Sequence, residues 1–284
     1  MPFFGAHLSV SGGLHKAAKA ARGLSMDTVQ VFTSNPNAWA VHKLDPAAVA
    51  AFKAAIAAND IRFPTSHDSY LINLAAADDA LWEKSIDAFA AELERSEELG
   101  LSYVVAHPGA HVGSGVEAGI ARVVAALDTI LERCAGFRVR VLLETTAGQG
   151  TTLGARFEEL AAMLDRVKQP EHLGVCLDTC HVFAAGYPLG TDAEYAATFD
   201  QFDRLIGLGR LCLFHLNDSV KPPGSRVDRH AAIGQGGIGL AQRVARSLET
   251  PKEDTDGNAM DAVNLALLKS FLAGPSTGRK RKVI

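Results

Sequence analysis

The sequence is sparing with cysteine: four in 284 residues, Cys134, Cys176, Cys180 and Cys212, each set in an otherwise apolar stretch, and only Cys176 and Cys180 lie close together. That scatter argues against a disulfide framework, and no second pair stands beside Cys176 and Cys180 to complete a zinc clip; the four thiols read as small buried hydrophobes. Long apolar runs are also missing. None approaches the roughly 18 residues that a membrane-spanning helix needs, and the opening MPFFGAHLSV lacks the basic region of a signal peptide, so a cytoplasmic protein without membrane contact is expected. Nor is there an excess of positive charge: the formal net charge is −4. This argues against a generally basic nucleic-acid binder, but not against one whose local charge is reversed by bound metal ions. No linker rich in Pro, Gly or Ser divides the chain.

What is present is an alternation. Short apolar runs, each followed by a loop signal and a longer Ala/Leu-rich segment of helical period, indicate parallel strands with crossover helices. The runs fall near residues 4–7, 29–33, 62–67, 103–107, 139–144, 174–178 and 211–215, with a weaker eighth at 247–250. Between them, Asp45 is placed to cap a helix that has Pro46 at its first position, Gly100 stops the segment 79–99, and Thr191 opens the segment 192–208, closed by Gly209. Eight such units in about 250 residues fit an α/β fold of the (β/α)8 TIM-barrel kind better than a doubly wound open sheet of five or six strands. The expected organisation is one barrel domain over residues 1–274 and a basic, disordered tail over 275–284, which contains GRKRKVI.

The chemistry lies where the apolar runs end. His67 follows in PTSHDSY, His107 in VVAHPGAH, Glu144 in VLLETTAG, Asp178 and His181 in CLDTCH, and His215 in LFHLND; Asp228 and His230 come next in VDRH, and Glu249 ends the eighth run in LETP. Any one of these is an ordinary strand-end residue. In a barrel, however, all the strand C-termini converge on one face, so side chains distant in sequence surround one cavity. Five imidazoles and four carboxylates there would repel and desolvate one another unless cations neutralised them. Imidazole mixed with carboxylate favours zinc, or manganese and iron, over calcium or an iron–sulfur cluster. Nine ligands suit three divalent ions with three apiece, and three such ions outweigh four carboxylates, leaving a site attractive to phosphate. The pair Asp228 and His230, two residues apart, would share a face in extended backbone.

The segments SHDSYLINLA, HPGAH, LLETTAGQG, CLDTCHVFAAGY, FHLNDS, GSRVDRH and IGQGGIG, in that order and preceded by GAHLSVSGG, resemble the signature segments of the endonuclease IV family over nearly the whole chain. The resemblance implies a single barrel that hydrolyses the phosphodiester 5′ of an abasic site in double-stranded DNA, leaving a 3′-hydroxyl and a 5′-deoxyribose phosphate, and that works as a monomer. It implies three zinc ions, with manganese as an alternative occupant of one position. His67, His107 and Glu144 would hold the first; Glu144 would bridge to a second that also takes Asp178, His215 and Glu249; and His181, Asp228 and His230 would hold the third. Glu144 would also help orient the attacking nucleophile. Tyr70 and Leu71 resemble residues that enter the minor groove beside the extruded sugar, with Gln149 and Asn217 as further polar contacts to DNA.

Two places depart from the family. In TSNPNAW, Asn37 stands where the family has an arginine that inserts into the DNA stack, which weakens the expected grip on the lesion. The stretch GLAQRVARSLET, residues 239–250, is about ten residues shorter than the family pattern. It implies a reduced seventh helix and a short, partly polar eighth strand, or else a Glu249 that fails to reach its ion. Two other readings follow: a sugar isomerase or epimerase of the xylose isomerase type, and a DNA- and zinc-binding remnant that no longer cuts.

Overall fold

The computed structural model describes residues 3–40, 42–239 and 247–248. Seven barrel strands are formed by β1 (Gly5–His7), β2 (Thr28–Val31), β3 (Thr65–His67), β4 (Tyr103–Ala106), β5 (Arg140–Glu144), β6 (Leu173–Asp178) and β7 (Leu211–Leu216). Between them run α1 (Leu14–Gly23), α2 (Pro46–Ala58), α3 (Asp79–Leu99), α4 (Val116–Arg133), α5 (Phe157–Arg166), α6 (Thr179–Ala185) and α7 (Asp192–Leu205). A two-stranded ribbon, β8 (Asp218–Ser219) with β9 (His230–Ala231), follows β7, and β10 (Ser247–Leu248) completes the barrel. All barrel neighbours are parallel, and the order closes as β1-β10-β7-β6-β5-β4-β3-β2. Period-2 alternation sorts the strand side chains. Val141 and Leu143 of β5 join the large core packed under the helices, whereas Leu142 meets Val105, Cys176 and Leu213 in a separate cluster inside the barrel. Two residues further along, the same alternation turns His107, Glu144, Asp178 and His215 inward at the C-terminal mouth.

The local punctuation explains most boundaries. Asp45 accepts the amide of Ala47 at 3.0 Å ahead of Pro46, and Gly100 takes the left-handed conformation (φ 73°) after α3. Thr191 and Glu194 form a reciprocal capping box at the start of α7. The helix expected over 192–208 ends earlier, at Leu205. Gly207, with φ 91°, breaks it, and Gly209 lies instead within a short 3-10 helix, Leu208–Arg210. The weak eighth strand is real but two residues long: Ser247 and Leu248 pair with His215 and Leu216 on one side, and Leu248 pairs with Ala6 on the other. Residues 240–246, where a seventh crossover helix was expected, lie outside the described residues, as do Glu249 and the basic segment 275–284. No helix among the described residues is long and apolar enough to cross a membrane.

Candidate metal centre

Eight of the nine expected ligands are described, and they meet at the C-terminal mouth of the barrel. Glu144, fully buried at the end of β5, is the hub. Its Oε2 lies 3.1 Å from Nε2 of His67 and 3.3 Å from Nε2 of His107; its Oε1 lies 2.9 Å from Nδ1 of His215 and 3.4 Å from Nδ1 of His181. The two oxygens of one carboxylate thus face two different pairs of imidazoles, the geometry of a bridging ligand.

The Asp178-x-x-His181 spacing has a structural cause. Asp178 is the N-cap of α6, and its Oδ1 accepts the backbone amide of His181 at 2.9 Å, which fixes both side chains against the barrel mouth. Asp178 Oδ2 lies 3.7 Å from Nε2 of His230. The Asp228-x-His230 spacing leads into the extended β9, whose register against β8 pairs His230 with Ser219. Asp228 Oδ1 and Oδ2 lie 3.2 Å from Nε2 of His230 and 3.1 Å from Nε2 of His181.

The donor set fits divalent cations. His67, His107 and Glu144 offer ligand atoms within 4.8 Å of one another, as do Asp178, His181 and His230. Imidazole nitrogens and carboxylate oxygens are the ligands zinc takes in tetrahedral and open sites. Asp178, which the resemblance placed with His215 and Glu249, lies within that distance of His181 and His230 and is also the register neighbour of His215, while Glu249 is outside the described residues. Glu144 and His215 instead have Cys176 as their near neighbour, and Cys180 lies beside Asp228 and His230. Those two thiols read from the sequence as plain hydrophobes; both are buried, as that reading requires. Burial pushes the Cys180 thiol up to about 12, helped by Asp178.

The charges are strongly interdependent. Burial alone would favour a neutral His67, but Asp68 and Glu144 outweigh it and hold the imidazole well above its ordinary range. His181 behaves likewise through Asp178, Asp228 and Glu144, and His230 rises to about 9 because Asp178 and Asp228 overcome its burial. Conversely, burial works against an ionised Glu144, yet the surrounding imidazoles, His215 and His107 first, hold it well below the usual carboxylate range. A cation would replace these protons as the partner of the same lone pairs.

Other residues surround the ligands. Asp68, buried beside His67 with Oδ1 at 3.3 Å from its Nδ1, was not singled out in the sequence, although HisAsp at a strand end was visible in SHDSY. Thr145 was also missed: its carbonyl accepts from His181 Nδ1 at 2.8 Å. Asn217, expected to contact DNA, is fully buried, and its Nδ2 donates to Asp178 Oδ2 at 2.5 Å; it holds a ligand and does not reach a substrate at the surface. The remaining rim residues are better placed. Tyr70 is 66% exposed, with its ring 5.5 Å from Phe32 and 6.3 Å from His67. Leu71 is half-buried and Asn37 exposed. Exposed Gln149 accepts the amide of Asp228 through Oε1 at 3.3 Å. The loops carrying Asn37 and Tyr70 are tied together: Pro36 O accepts from Ser69 Oγ at 2.7 Å and from Tyr70 N at 3.2 Å.

The family model described as xylose isomerase-like TIM barrel matches residues 18–250. A "probable endonuclease 4" of Chloroflexus aurantiacus is 49% identical over 96% of this chain and 99% of its own length. Among solved structures, endonuclease IV from Thermus thermophilus superposes with a TM-score of 0.84 at 38% identity, covering 96% of this chain and 100% of that one. A D-tagatose 3-epimerase-like protein also superposes, with a TM-score of 0.73 over 95% and 97% of the two chains. At 18% identity, that likeness is one of fold alone.

Proposed function

This chain belongs to the endonuclease 4 family, and from that premise we propose that it hydrolyses the phosphodiester 5′ of abasic sites in double-stranded DNA, leaving a 3′-hydroxyl and a 5′-deoxyribose phosphate. The observation that carries the reading is Glu144, one buried carboxylate whose two oxygens face two pairs of imidazoles. In this reading three zinc ions would be held, one by His67, His107 and Glu144, one by Glu144, His215, Asp178 and Glu249, and one by His181, Asp228 and His230, with manganese as an alternative at one position. Bound there, the ions supply Lewis acidity toward phosphate oxygens and lower the pKa of water to near neutrality.

The protein supplies the rest. Glu144 keeps its charge in spite of burial and so remains an acceptor able to orient a water for in-line attack. Half-exposed His107 borders the opening through which a phosphate would reach Glu144. Exposed Tyr70, with Leu71, is placed to occupy the groove beside an extruded sugar, and Asn37 and Gln149 flank it as polar contacts. Asn37 lacks the length and charge of an arginine, so lesion discrimination rests more heavily on Tyr70. The enzyme works as a cytoplasmic monomer.

The test is nicking of an abasic-site duplex without added magnesium, with and without a chelator, comparing wild type with Glu144→Ala and Glu144→Gln. Both substitutions are expected to slow nicking by roughly a hundredfold or more, the scale of losing a main electrostatic group, and metal analysis is expected to give three zinc per chain. Tight duplex binding without nicking, and fewer than three ions, would favour the non-cutting remnant. Turnover of a ketose in place of DNA would favour the isomerase.

A further inference from the structure

Strand β2 reads Thr28-Val29-Gln30-Val31, and the alternation that sends Val29 and Val31 into the helix-facing core turns Gln30 toward the barrel axis. There it is 1% exposed. A buried primary amide brings donors and an acceptor that must be met, or its burial is destabilising. Two imidazoles meet it. Nε2 of His215 lies 2.8 Å from Gln30 Oε1, and Gln30 Nε2 lies 3.1 Å from Nδ1 of His7 at the end of β1. The other ring nitrogen of His215, Nδ1, is the one that faces Glu144, at 2.9 Å. His7 is seated in turn against Phe32, with ring centroids 4.3 Å apart.

We propose that Gln30 is a positioning residue of the metal centre, one that selects which nitrogen of His215 is offered to the cation. The inference rests on the metal reading of the site. Neutral imidazole carries a proton on one nitrogen and a lone pair on the other. With an amide oxygen fixed opposite Nε2, that nitrogen keeps its proton and donates, so the lone pair lies on Nδ1, toward Glu144 and the ion they share. The amide NH2 then donates to His7 Nδ1, which anchors the amide in this orientation. The residue type matters. An amide offers an acceptor to one ring and a donor to the other; a glutamate would put acceptors toward both rings and a further negative charge close to Glu144, and a methionine would meet neither.

The experiment uses the full-length, 15N-labelled, zinc-loaded protein. Long-range 1H–15N correlation spectra report protonation and ligation at each ring nitrogen of His215. We expect a proton on Nε2 and ligation through Nδ1; ligation through Nε2, or a proton on Nδ1, overturns the proposal without any substitution. Gln30→Met, of similar volume, is expected to speed release of one zinc to a chelator by about 10–100-fold, the usual effect of losing an outer partner of a ligating histidine, with the other ions released at the wild-type rate. Gln30→Glu, which keeps the acceptor opposite Nε2, is expected to restore part of that loss. A folded Gln30→Met protein that releases every ion at the wild-type rate overturns the proposal. Wild-type protein that takes up no zinc defeats the metal reading and this inference with it, whereas zinc uptake with His215 unligated defeats this inference alone.

Discussion

At the scale of single residues, Glu92 shows how far a side chain can stand from its apparent role. In the α3 segment EKSIDAFAAELERSEEL it looks like one more surface charge, yet it is 6% exposed. It accepts the hydroxyl of Thr33 at 2.6 Å and that of Ser96 at 3.4 Å. Burial pushes its carboxyl up to about 7 from an ordinary 4.5, against the opposing pull of Thr33, Ser66 and Arg95. The folded protein therefore holds this proton over a pH range in which the unfolded chain has released it. Its contribution to stability is fully present below about 4.5 and is lost as pH rises toward 7, by at most about 1.4 kcal/mol per pH unit. Thermal midpoints across that window are expected to fall more steeply with rising pH in wild type than in Glu92→Gln, and equal slopes would refute the assignment. Arg95 works beside it: its guanidinium donates to the side chain and carbonyl of Thr33 and to the carbonyl of His42, so one side chain grips both ends of the loop that carries Asn37.

Elements decide what pairs of residues can do. The ribbon of β8 and β9 places His230 in the centre, and the loop that follows is gathered around one buried carboxylate. Asp218 accepts the amides of Gly234, Gly236, Ile238 and Gly239 at 2.8–3.1 Å, besides that of Ser219. A methyl group at Gly236 would stand 2.4 Å from the carbonyl oxygen of Ser219 and 2.6 Å from Asp218 Oδ1. Gly236→Ala is therefore expected to cost about 1–3 kcal/mol, read in denaturant unfolding, and to loosen His230 enough to raise zinc release; an unchanged unfolding midpoint would contradict it. On the opposite rim, Tyr70 rises from a loop pinned to Pro36. Removing its ring in Tyr70→Ala is expected to weaken binding to an abasic duplex by about tenfold while leaving zinc content unchanged, since in the role proposed for it Tyr70 would act on DNA and not on the ions. These elements were unequally legible. Strand ends were readable because an apolar run yields abruptly to His, Glu or Asp. Asn217 was misread because only closure of the barrel puts LeuAsnAsp of β7 and its continuation inside. Gln30 and Asp218 were overlooked because their meaning lies in partners more than fifteen residues away, His215 in one case and the 234–239 amides in the other.

For the whole molecule, the (β/α)8 arrangement was legible from eight alternating units, and the shortened stretch at 239–250 correctly foretold a weak eighth strand. The sequence could not convey that Asp178 stands between two groups, beside His215 across β6 and β7 and facing His230 through its Oδ2. With the charges of five imidazoles and three carboxylates concentrated at one mouth, ions that bind only the folded chain stabilise it by mass action. At a hundredfold excess over Kd a single ion contributes about 2.7 kcal/mol. Stripping the metal with a chelator is thus expected to lower the melting temperature by several degrees and zinc addition to restore it; insensitivity to both would exclude a cation from the site.

A ring is as tight as its narrowest joint. Elsewhere around this one, neighbouring strands overlap for two to four register pairs, whereas among the described residues β10 and β1 share one, Ala6 with Leu248. Parting there would turn the cylinder into an open, curved sheet, and β7, which carries His215, lies one strand away from that joint. In deuterated solvent, amides bordering that joint are expected to exchange sooner than those between β5 and β6, and a ligand such as zinc, by holding Glu144 and His215 together across the mouth, would act as the hoop on a cask.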